Sequence, residues 1–121
     1  METSLCLMKD VLKAFYEFEK SLVQVHSMTM NEAILLCILG EKETDCKVHL
    51  SASDISEITG FSPSHTSKVL RSAESKHWIT RSVCDRDKRK MYFSLSEEGL
   101  KKYRQLKSVP VQIPDMLNKL L

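Results

Sequence analysis

Residues 63–76 carry hydroxyl and cationic side chains at the spacing of one helix face. At about 100° per residue, these side chains lie opposite an apolar stripe. The predicted outward residues are Ser64, Lys68, Arg71 and Ser75, flanked by His65, Ser67 and Ser72. Lysine and arginine donate hydrogen bonds to guanine or to phosphate, and short polar side chains allow a helix to lie close in the major groove of DNA. An ordinary solvated helix face has the same composition, so this segment alone leaves both interpretations open.

A second basic cluster follows this segment directly. Residues 81–90 contain five basic side chains and two acidic ones. They are Arg81, Arg86, Lys88, Arg89 and Lys90, with Asp85 and Asp87. The flanking residues 78–83 and 89–95 are rich in β-branched and aromatic types, which predicts a β-hairpin with a charged turn. Such a projection beside a DNA-binding helix can reach the adjacent minor groove. A solubilising turn is the alternative, but the two elements together favour double-stranded DNA as the partner.

Local signals predict how these side chains are positioned. Residues 51–54 have capping-box spacing, and Gly60 ends the short helix that they begin. Ser62 followed by Pro63 is a typical helix start, and the backbone N–H groups there suit a phosphate. Two short helices joined by three or four residues that include a glycine form a helix-turn-helix. The predicted buried residues are Ile55 and Ile58 in the first helix and Thr66, Val69, Leu70 and Ala73 in the second.

The N-terminal segment predicts a long amphipathic helix. Residues 4–26 repeat apolar side chains mainly at three- and four-residue steps, which gives around six turns and about 33 Å. The stripe consists of Leu5, Met8, Leu12, Phe15, Leu22 and Val25. A helix of this length extends past the core of so small a domain, and we expect it to pack on something else.

Two more helices and a strand complete the prediction. A capping box at Thr29 and Glu32 begins a helix that Gly40 ends. Residues 48–50 form a short strand, and Ser96 caps a final helix. One face of that helix carries Leu100, Tyr103 and Leu106. The predicted fold class is therefore mainly α with a small β-hairpin wing (α+β), a winged helix-turn-helix.

The composition fits a single globular domain over residues 1–121. The chain has a mass of 13.9 kDa, 42% hydrophobic and 28% charged side chains, and a net charge of +2. Residues 1–50 hold five basic and eight acidic side chains, whereas residues 51–121 hold thirteen and eight. This asymmetry fits an anionic partner for the second half. The sequence shows no apolar run of membrane length and no secretory signal, so we expect a cytoplasmic protein without membrane contact.

The sequence shows no pattern typical of catalysis or of a metal centre. The four histidines have no partners at the spacing of a catalytic triad or a metal triplet, and there is no glycine-rich phosphate loop. They are His26, His49, His65 and His77. The four cysteines share no metal-ligand spacing, which favours packing roles in a reducing compartment. They are Cys6, Cys37, Cys46 and Cys84. We expect a protein that is not an enzyme and has no cofactor and no metal.

The order of the elements and three short motifs resemble the MarR family of winged-helix transcription regulators. Residues 86–89, Arg-Asp-Lys-Arg, resemble the family's wing motif Arg-Asp-x-Arg. Residues 95–99, Leu-Ser-Glu-Glu-Gly, resemble the Leu-Thr/Ser-x-x-Gly that follows it, and residues 62–66 resemble the start of its recognition helix. The likeness covers about residues 5–107. Cys84 departs from the pattern, since the family often has an aspartate there.

The resemblance implies roles for the matching residues. Asp87 and Arg89 form an internal pair that holds the wing in shape, and Arg86 and Lys88 lie at its tip. Residues 29–107 form the DNA-binding lobe. The implied DNA-binding residues are Ser62, Ser64, His65, Ser67, Lys68, Arg71, Arg86, Lys88 and Arg89.

We expect a homodimer, because useful specificity generally needs two half-sites about one turn of DNA apart. The expected interface comprises residues 1–28 and the apolar tail of residues 108–121, which is shorter than the family's C-terminal helix. Its candidate residues are Leu5, Met8, Leu12, Ile113, Leu117 and Leu120. The alternative is that the tail folds back on its own core.

The resemblance also implies a small aromatic effector bound between the long helices and the DNA-binding lobe. Candidate lining residues are Phe15, Tyr16, Phe18, His26 and Met28. Side chains of these types at helical spacing are also typical of a core. Oxidation of Cys6 or Cys84 is a second response of the kind the family uses, with a buried packing role as the alternative.

Together the residues and the resemblance predict a sequence-specific transcription regulator that binds double-stranded DNA and acts as a repressor. Its recognition helix lies in the major groove and its basic wing in the minor groove. The alternative is a winged-helix protein–protein interaction module without nucleic-acid binding. Such a module would need an apolar recognition face, whereas the face predicted here is polar and cationic.

Overall fold

Helices make up most of the structure, a computed structural model that describes residues 4–43, 50–83 and 90–108. The elements are α1 (Ser4–His26), α2 (Met30–Glu43), β1 (Leu50–Ser51), α3 (Ala52–Thr59), α4 (Pro63–Ser75), β2 (Ile79–Val83), β3 (Met91–Leu95) and α5 (Glu97–Ser108). The predicted fold class, mainly α with a small β wing, is confirmed.

The wing is a three-stranded antiparallel sheet in the order β1-β3-β2. The predicted hairpin pairs Ile79 with Leu95 at its base and Val83 with Met91 at the outer end of the described ladder. The short strand β1 pairs Leu50 with Phe93 and so adds a third strand at the edge of β3. The charged turn predicted from the sequence falls on residues 84–89, which lie outside the described residues, and so do residues 48 and 49 of the strand predicted over 48–50.

The core is centred on α2, which packs against α5, β3 and α4. Its side chains Leu35, Leu36 and Leu39 are almost completely buried. Trp78 and Phe93 from the sheet region join the same apolar cluster. Burial of apolar surface is the main favourable term in folding, and this cluster therefore holds the helix-turn-helix and the wing on one support.

Gly40 does not end α2, and the prediction of a cap there is wrong. The helix continues to Glu43, with Gly40 buried inside it. A Cβ at Gly40 would come within 2.6 Å of ring carbons of Tyr103 on α5. The glycine is therefore placed where two helices approach closely, a tertiary role that the local sequence does not reveal.

Ile58 is the second correction, since its side chain is 52% exposed instead of buried. Ile55 is the residue of α3 that enters the core. Ser56, next to Ile55, turns toward α4 and shares a 2.7 Å hydrogen bond with Thr66. In a helix of only eight residues, the narrow contact with α4 and the sheet leaves Ile58 on the outer side.

The apolar stripe of α1 is largely exposed. Leu5 is 80% exposed, and Met8, Leu12 and Phe15 are also exposed. Leu22, near the end of the helix, is buried in the core. The N-terminal half of α1 thus extends beyond the core, as the sequence predicts.

The described residues contain no single helix that is long and apolar enough to cross a membrane. The pair Leu5–His26 and Met30–Glu41, bent by 70°, satisfies the criteria of length and composition only when taken together, and core helices can satisfy them too.

Candidate nucleic-acid interface

The turn between α3 and α4 is built by three local signals that the sequence predicts. Gly60 adopts the left-handed conformation, with φ of 80°, and its N–H donates to the Ser56 carbonyl at the end of α3. The Ser62 hydroxyl accepts from the backbone N–H of His65, and Pro63 occupies the first turn of α4. The Thr66 hydroxyl donates to the Ser62 carbonyl oxygen at 3.0 Å. The start of α4 is therefore fixed relative to α3.

The inward and outward faces of α4 are those predicted from the helical spacing. Buried residues are Thr66, Val69, Leu70 and Ala73. Exposed residues are Ser62, Ser64, Ser67, Lys68, Arg71 and Ser75. The face is polar and cationic, while the opposite side is packed into the core, so α4 presents a positively charged surface to solvent.

His65 differs from the other residues predicted to face DNA. Its ring is half-buried, with Nε2 3.1 Å from the Asn31 amide nitrogen at the start of α2. The Phe61 ring packs edge-on against it at a centroid distance of 4.7 Å. Its environment indicates that part of the imidazole's hydrogen-bonding capacity serves the protein itself.

The C-terminal part of α4 is joined to β2 by an ion pair. Arg81 donates from two guanidinium nitrogens to the two Glu74 carboxylate oxygens, both at 2.5 Å. The hydrogen bond from Arg81 holds the pKa of Glu74 below its usual value, and the same bond raises the pKa of Arg81. Arg81, one of the five basic residues of the predicted hairpin, thus pairs with a carboxylate of the lobe itself. Because both side chains are partly exposed, the ion pair adds little stability.

A cavity of about 410 Å³ lies between this part of α4 and the sheet. It is lined by Ala52, Ser67, Leu70, Arg71, Arg81 and Phe93. The exposed face of α4 therefore borders a groove that contains two guanidinium groups, next to the strands of the wing.

A buried network around Glu32 is the feature that sequence reasoning missed. The predicted capping box is present, with Thr29 N–H donating to Glu32 and Glu32 N–H to the Thr29 hydroxyl. The Glu32 carboxylate also accepts from the Ser72 hydroxyl at 2.5 Å and from Lys76 Nζ at 2.8 Å. Burial alone would raise the pKa of Glu32, but the hydrogen bonds from Lys76, Ser72 and Thr29 outweigh it and lower the pKa overall. The local capping signal was visible in the sequence, whereas the partners 40 and 44 residues away were not.

Several predicted residues lie outside the described part of the chain. These are the wing residues Arg86, Asp87, Lys88 and Arg89, the tail residues Ile113, Leu117 and Leu120, and also His49, Cys46 and Cys84. Lys90, next to Met91 at the outer end of the described ladder, is exposed.

The remaining reactive side chains form no metal centre in the residues described. Over that part of the chain, no three or more His, Cys, Asp or Glu side chains group so as to hold a metal ion. Cys6 is exposed and Cys37 is half-buried against the core. Burial raises the pKa of the Cys37 thiol, which disfavours the reactive thiolate.

A capped helix-turn-helix with an exposed cationic second helix, followed by an antiparallel wing, defines a winged helix-turn-helix protein. The structure is similar to MepR of S. aureus in complex with DNA, with a TM-score of 0.81 and 22% sequence identity over 99% of this chain and 83% of that chain. It is also similar to AbsC, a MarR family transcriptional regulator from Streptomyces coelicolor, with a TM-score of 0.73, 25% identity and coverage of 99% and 88%.

A third similar structure is PefR, a heme sensor protein from Streptococcus agalactiae in complex with heme, with a TM-score of 0.66, 21% identity and coverage of 99% and 77%. No family model and no curated protein sequence matches this chain. The resemblance to the MarR family predicted from the sequence is confirmed in the fold: the chain has the winged helix-turn-helix architecture of MarR-family transcription regulators.

Proposed function

We propose that this chain is a transcription regulator that binds double-stranded DNA in a sequence-specific way, with α4 in the major groove. The observation that carries the proposal is the exposed face of α4, which is polar and cationic along its whole length while its opposite side is buried. The fold supports the class, since a MarR-family regulator and a regulator bound to DNA share it. The interaction-module alternative lacks the apolar recognition face that it would need.

Each part of the interface has a separate task in this proposal. Ser64, Ser67, Lys68 and Arg71 contact base edges, and the start of α4 at Ser62 contacts a phosphate. His65, held by Asn31, lies at the edge of this set. In the wing, Arg86 and Lys88 contact the minor groove or phosphates, and Arg89 contacts DNA in addition to pairing with Asp87.

We propose a homodimer whose interface includes the N-terminal half of α1. Leu5, Met8 and Leu12 are exposed together and line an apolar surface groove of about 590 Å³. An exposed apolar surface of this kind marks an interaction site. Residues 1–28 and 108–121, with Ile113, Leu117 and Leu120, make up the proposed interface, and residues 29–107 form the DNA-binding lobe. A symmetric dimer would present two copies of α4 to two half-sites.

The proposed biological role is that of a cytoplasmic repressor without enzymatic activity, in keeping with the transcription regulators MepR and AbsC, which have a similar fold. A small aromatic effector belongs to the same proposal. Among its candidate lining residues, Phe15 and Tyr16 are exposed whereas His26 and Met28 are buried, so a ligand entering from solvent would first meet Phe15 and Tyr16. An upward shift of the unfolding temperature with benzoate, abolished by Tyr16→Ala, would support it; no shift would count against an aromatic acid.

The DNA-binding proposal is tested by selecting duplexes from a random pool with the wild-type chain and measuring affinity at two salt concentrations. Lys68→Ala should weaken binding to the selected duplex by about 1–3 kcal/mol and relax the choice of sequence. The double variant Arg86→Ala and Lys88→Ala should weaken binding to every duplex and lower the salt slope by about one unit for each phosphate that is no longer neutralised. Lys101→Ala, an exposed lysine of α5, is the control. Failure of the wild-type chain to enrich any duplex would refute the proposal.

A further inference from the structure

Glu32 is the one buried Asp, Glu, Lys or Arg among the residues that the structure describes, with 1% of its surface exposed. It lies in the first turn of α2 and not on the exposed face of α4. Both of its carboxylate oxygens are engaged: Oε1 accepts from Thr29 N and Lys76 Nζ, each at 2.8 Å, and Oε2 accepts from Ser72 Oγ. Burying an ion is costly unless it is paired and hydrogen-bonded, and here it is both.

The partners of Glu32 tie the end of α4 to the rest of the lobe. Ser72 lies on α4, and Lys76 is its C-terminal cap residue. Lys76 Nζ also lies 4.8 Å from the centre of the Trp78 ring, next to the start of β2. At the start of α2, the side chain of Glu19 of α1 accepts a hydrogen bond from the backbone N–H of Met30 at 2.8 Å. Hydrogen bonds in the first turn of α2 thus link this helix to α1 and to the end of α4.

The hydrogen bonds of Glu32 at this end of α4 fix the angle of the helix to α2, together with the Asn31–His65 contact nearer its start. The apolar contacts of Val69, Leu70 and Ala73 are not directional, and on their own they would tolerate small rotations. Residue 64 lies about 12 Å along the helix from residue 72, so a tilt of about 10° at Ser72 moves Ser64 by about 2 Å. Such a shift breaks a hydrogen bond to a base, whose donor–acceptor distance is about 2.7–3.2 Å.

We propose that Glu32 is a positioning residue for DNA reading: through Ser72 and Lys76 it sets the angle at which the recognition face of α4 meets the duplex. This inference rests on the proposed function, but it concerns a residue that does not contact DNA. Contacts to phosphates tolerate a tilt better than contacts to bases, because lysine and arginine side chains are long and the backbone is uniform. Loss of the Glu32 bonds should therefore reduce specific binding and spare non-specific binding.

The test compares two duplexes of equal length, one selected from a random pool by the wild-type chain and one scrambled. Glu32→Gln keeps the shape and removes the charge, and Ser72→Ala removes one donor. The control is Lys101→Ala, an exposed side chain of α5 that lies outside the recognition face of α4. We expect Glu32→Gln to bind the selected duplex about tenfold more weakly and Ser72→Ala a few-fold more weakly, as for loss of charge-assisted hydrogen bonds. Binding to the scrambled duplex should change by less than about twofold, and Lys101→Ala should behave as wild type.

The single tryptophan provides a second readout. Because Lys76 lies against Trp78, Glu32→Gln should change the tryptophan emission, whereas Lys101→Ala should not. Unchanged binding of the selected duplex by both Glu32→Gln and Ser72→Ala would overturn the inference, as would an equal loss on the two duplexes. If Glu32→Gln does not fold, Ser72→Ala decides alone. A wild-type chain that selects no duplex would instead refute the proposed function itself, and this inference with it.

Discussion

Helix α1 exposes most of its large apolar side chains, whereas the lobe formed by α2 to α5 buries most of its own. In the described part of the chain, ten large apolar side chains are exposed, and eight of them lie in α1. They are Leu5, Leu7, Met8, Leu12, Phe15, Tyr16, Val23 and Val25. The lobe exposes only Ile58 and Val83 within the same described residues and buries the rest around α2. The lobe therefore carries its own core, whereas α1 has the surface of a helix that needs a partner.

The largest expected effect tests whether the lobe depends on close packing. A Cβ at Gly99 would overlap the backbone carbonyl of Trp78, which cannot move aside as a flexible side chain would. Gly99→Ala should therefore lower the free energy of unfolding by about 3 kcal/mol or more, measured by urea denaturation.

The matched control for this substitution is Gly60→Ala. Gly60 has φ of 80° and nothing within 4 Å of a Cβ, so only the left-handed conformation is penalised, by about 1 kcal/mol. Equal losses of unfolding free energy in the two variants would show that Gly99 does not pack closely against the Trp78 carbonyl.

Protonation of Glu32 at acid pH should lower the free energy of unfolding of the lobe. Its pKa is lowered in the folded state relative to the ordinary 4.5, so the unfolded chain takes up the proton first. The stabilisation is complete above about pH 4.5 and is lost as the pH falls through the lower folded pKa. Urea denaturation of wild type and Glu32→Gln between neutral and acid pH measures the difference, which we expect to be about 2 kcal/mol at neutral pH and to shrink in acid. A difference that stays constant with pH would contradict this assignment.

Self-association of the chain should depend on the exposed apolar surface of α1, whereas folding of the protomer should not. Leu12→Glu places a charge on the exposed apolar surface and should weaken self-association at least about tenfold, while unfolding of the dilute protomer changes little. Sedimentation at several concentrations, together with thermal unfolding, separates these effects.

Gln105→Glu adds the same charge at an exposed position of α5, outside the proposed interface, and serves as the control. A Leu12→Glu variant that unfolds, or that keeps the wild-type mass at every dilution, would contradict the assignment of this surface of α1 to self-association.

The smallest effect concerns the start of α4. Ser62→Ala removes the side chain that accepts from the His65 N–H and should cost about 1 kcal/mol of unfolding free energy. Ser64→Ala, one residue inside the helix and exposed, should change the unfolding free energy by less than about 0.5 kcal/mol. A larger loss from Ser64→Ala than from Ser62→Ala would show that the cap is not what holds this end of α4.

Predictions from sequence succeeded where the signal is local. The capping boxes at Thr29 and Ser51 and the start of α4 at Ser62 are all present. The outward and inward faces of α4 also match, because helical periodicity alone separates them. The prediction for Gly40 failed, since its role depends on Tyr103 from a helix far along the chain.

Local sequence patterns were enough to predict the helices, the hairpin, their order and the polar face of α4, because caps and periodicity act over a single helical turn and strand composition acts over a few residues. The burial of Glu32, its pairing with Lys76 and the use of Arg81 by Glu74 emerged only when the chain was folded. These interactions depend on how helices and strands distant in sequence pack on one another, and no short-range pattern encodes that packing.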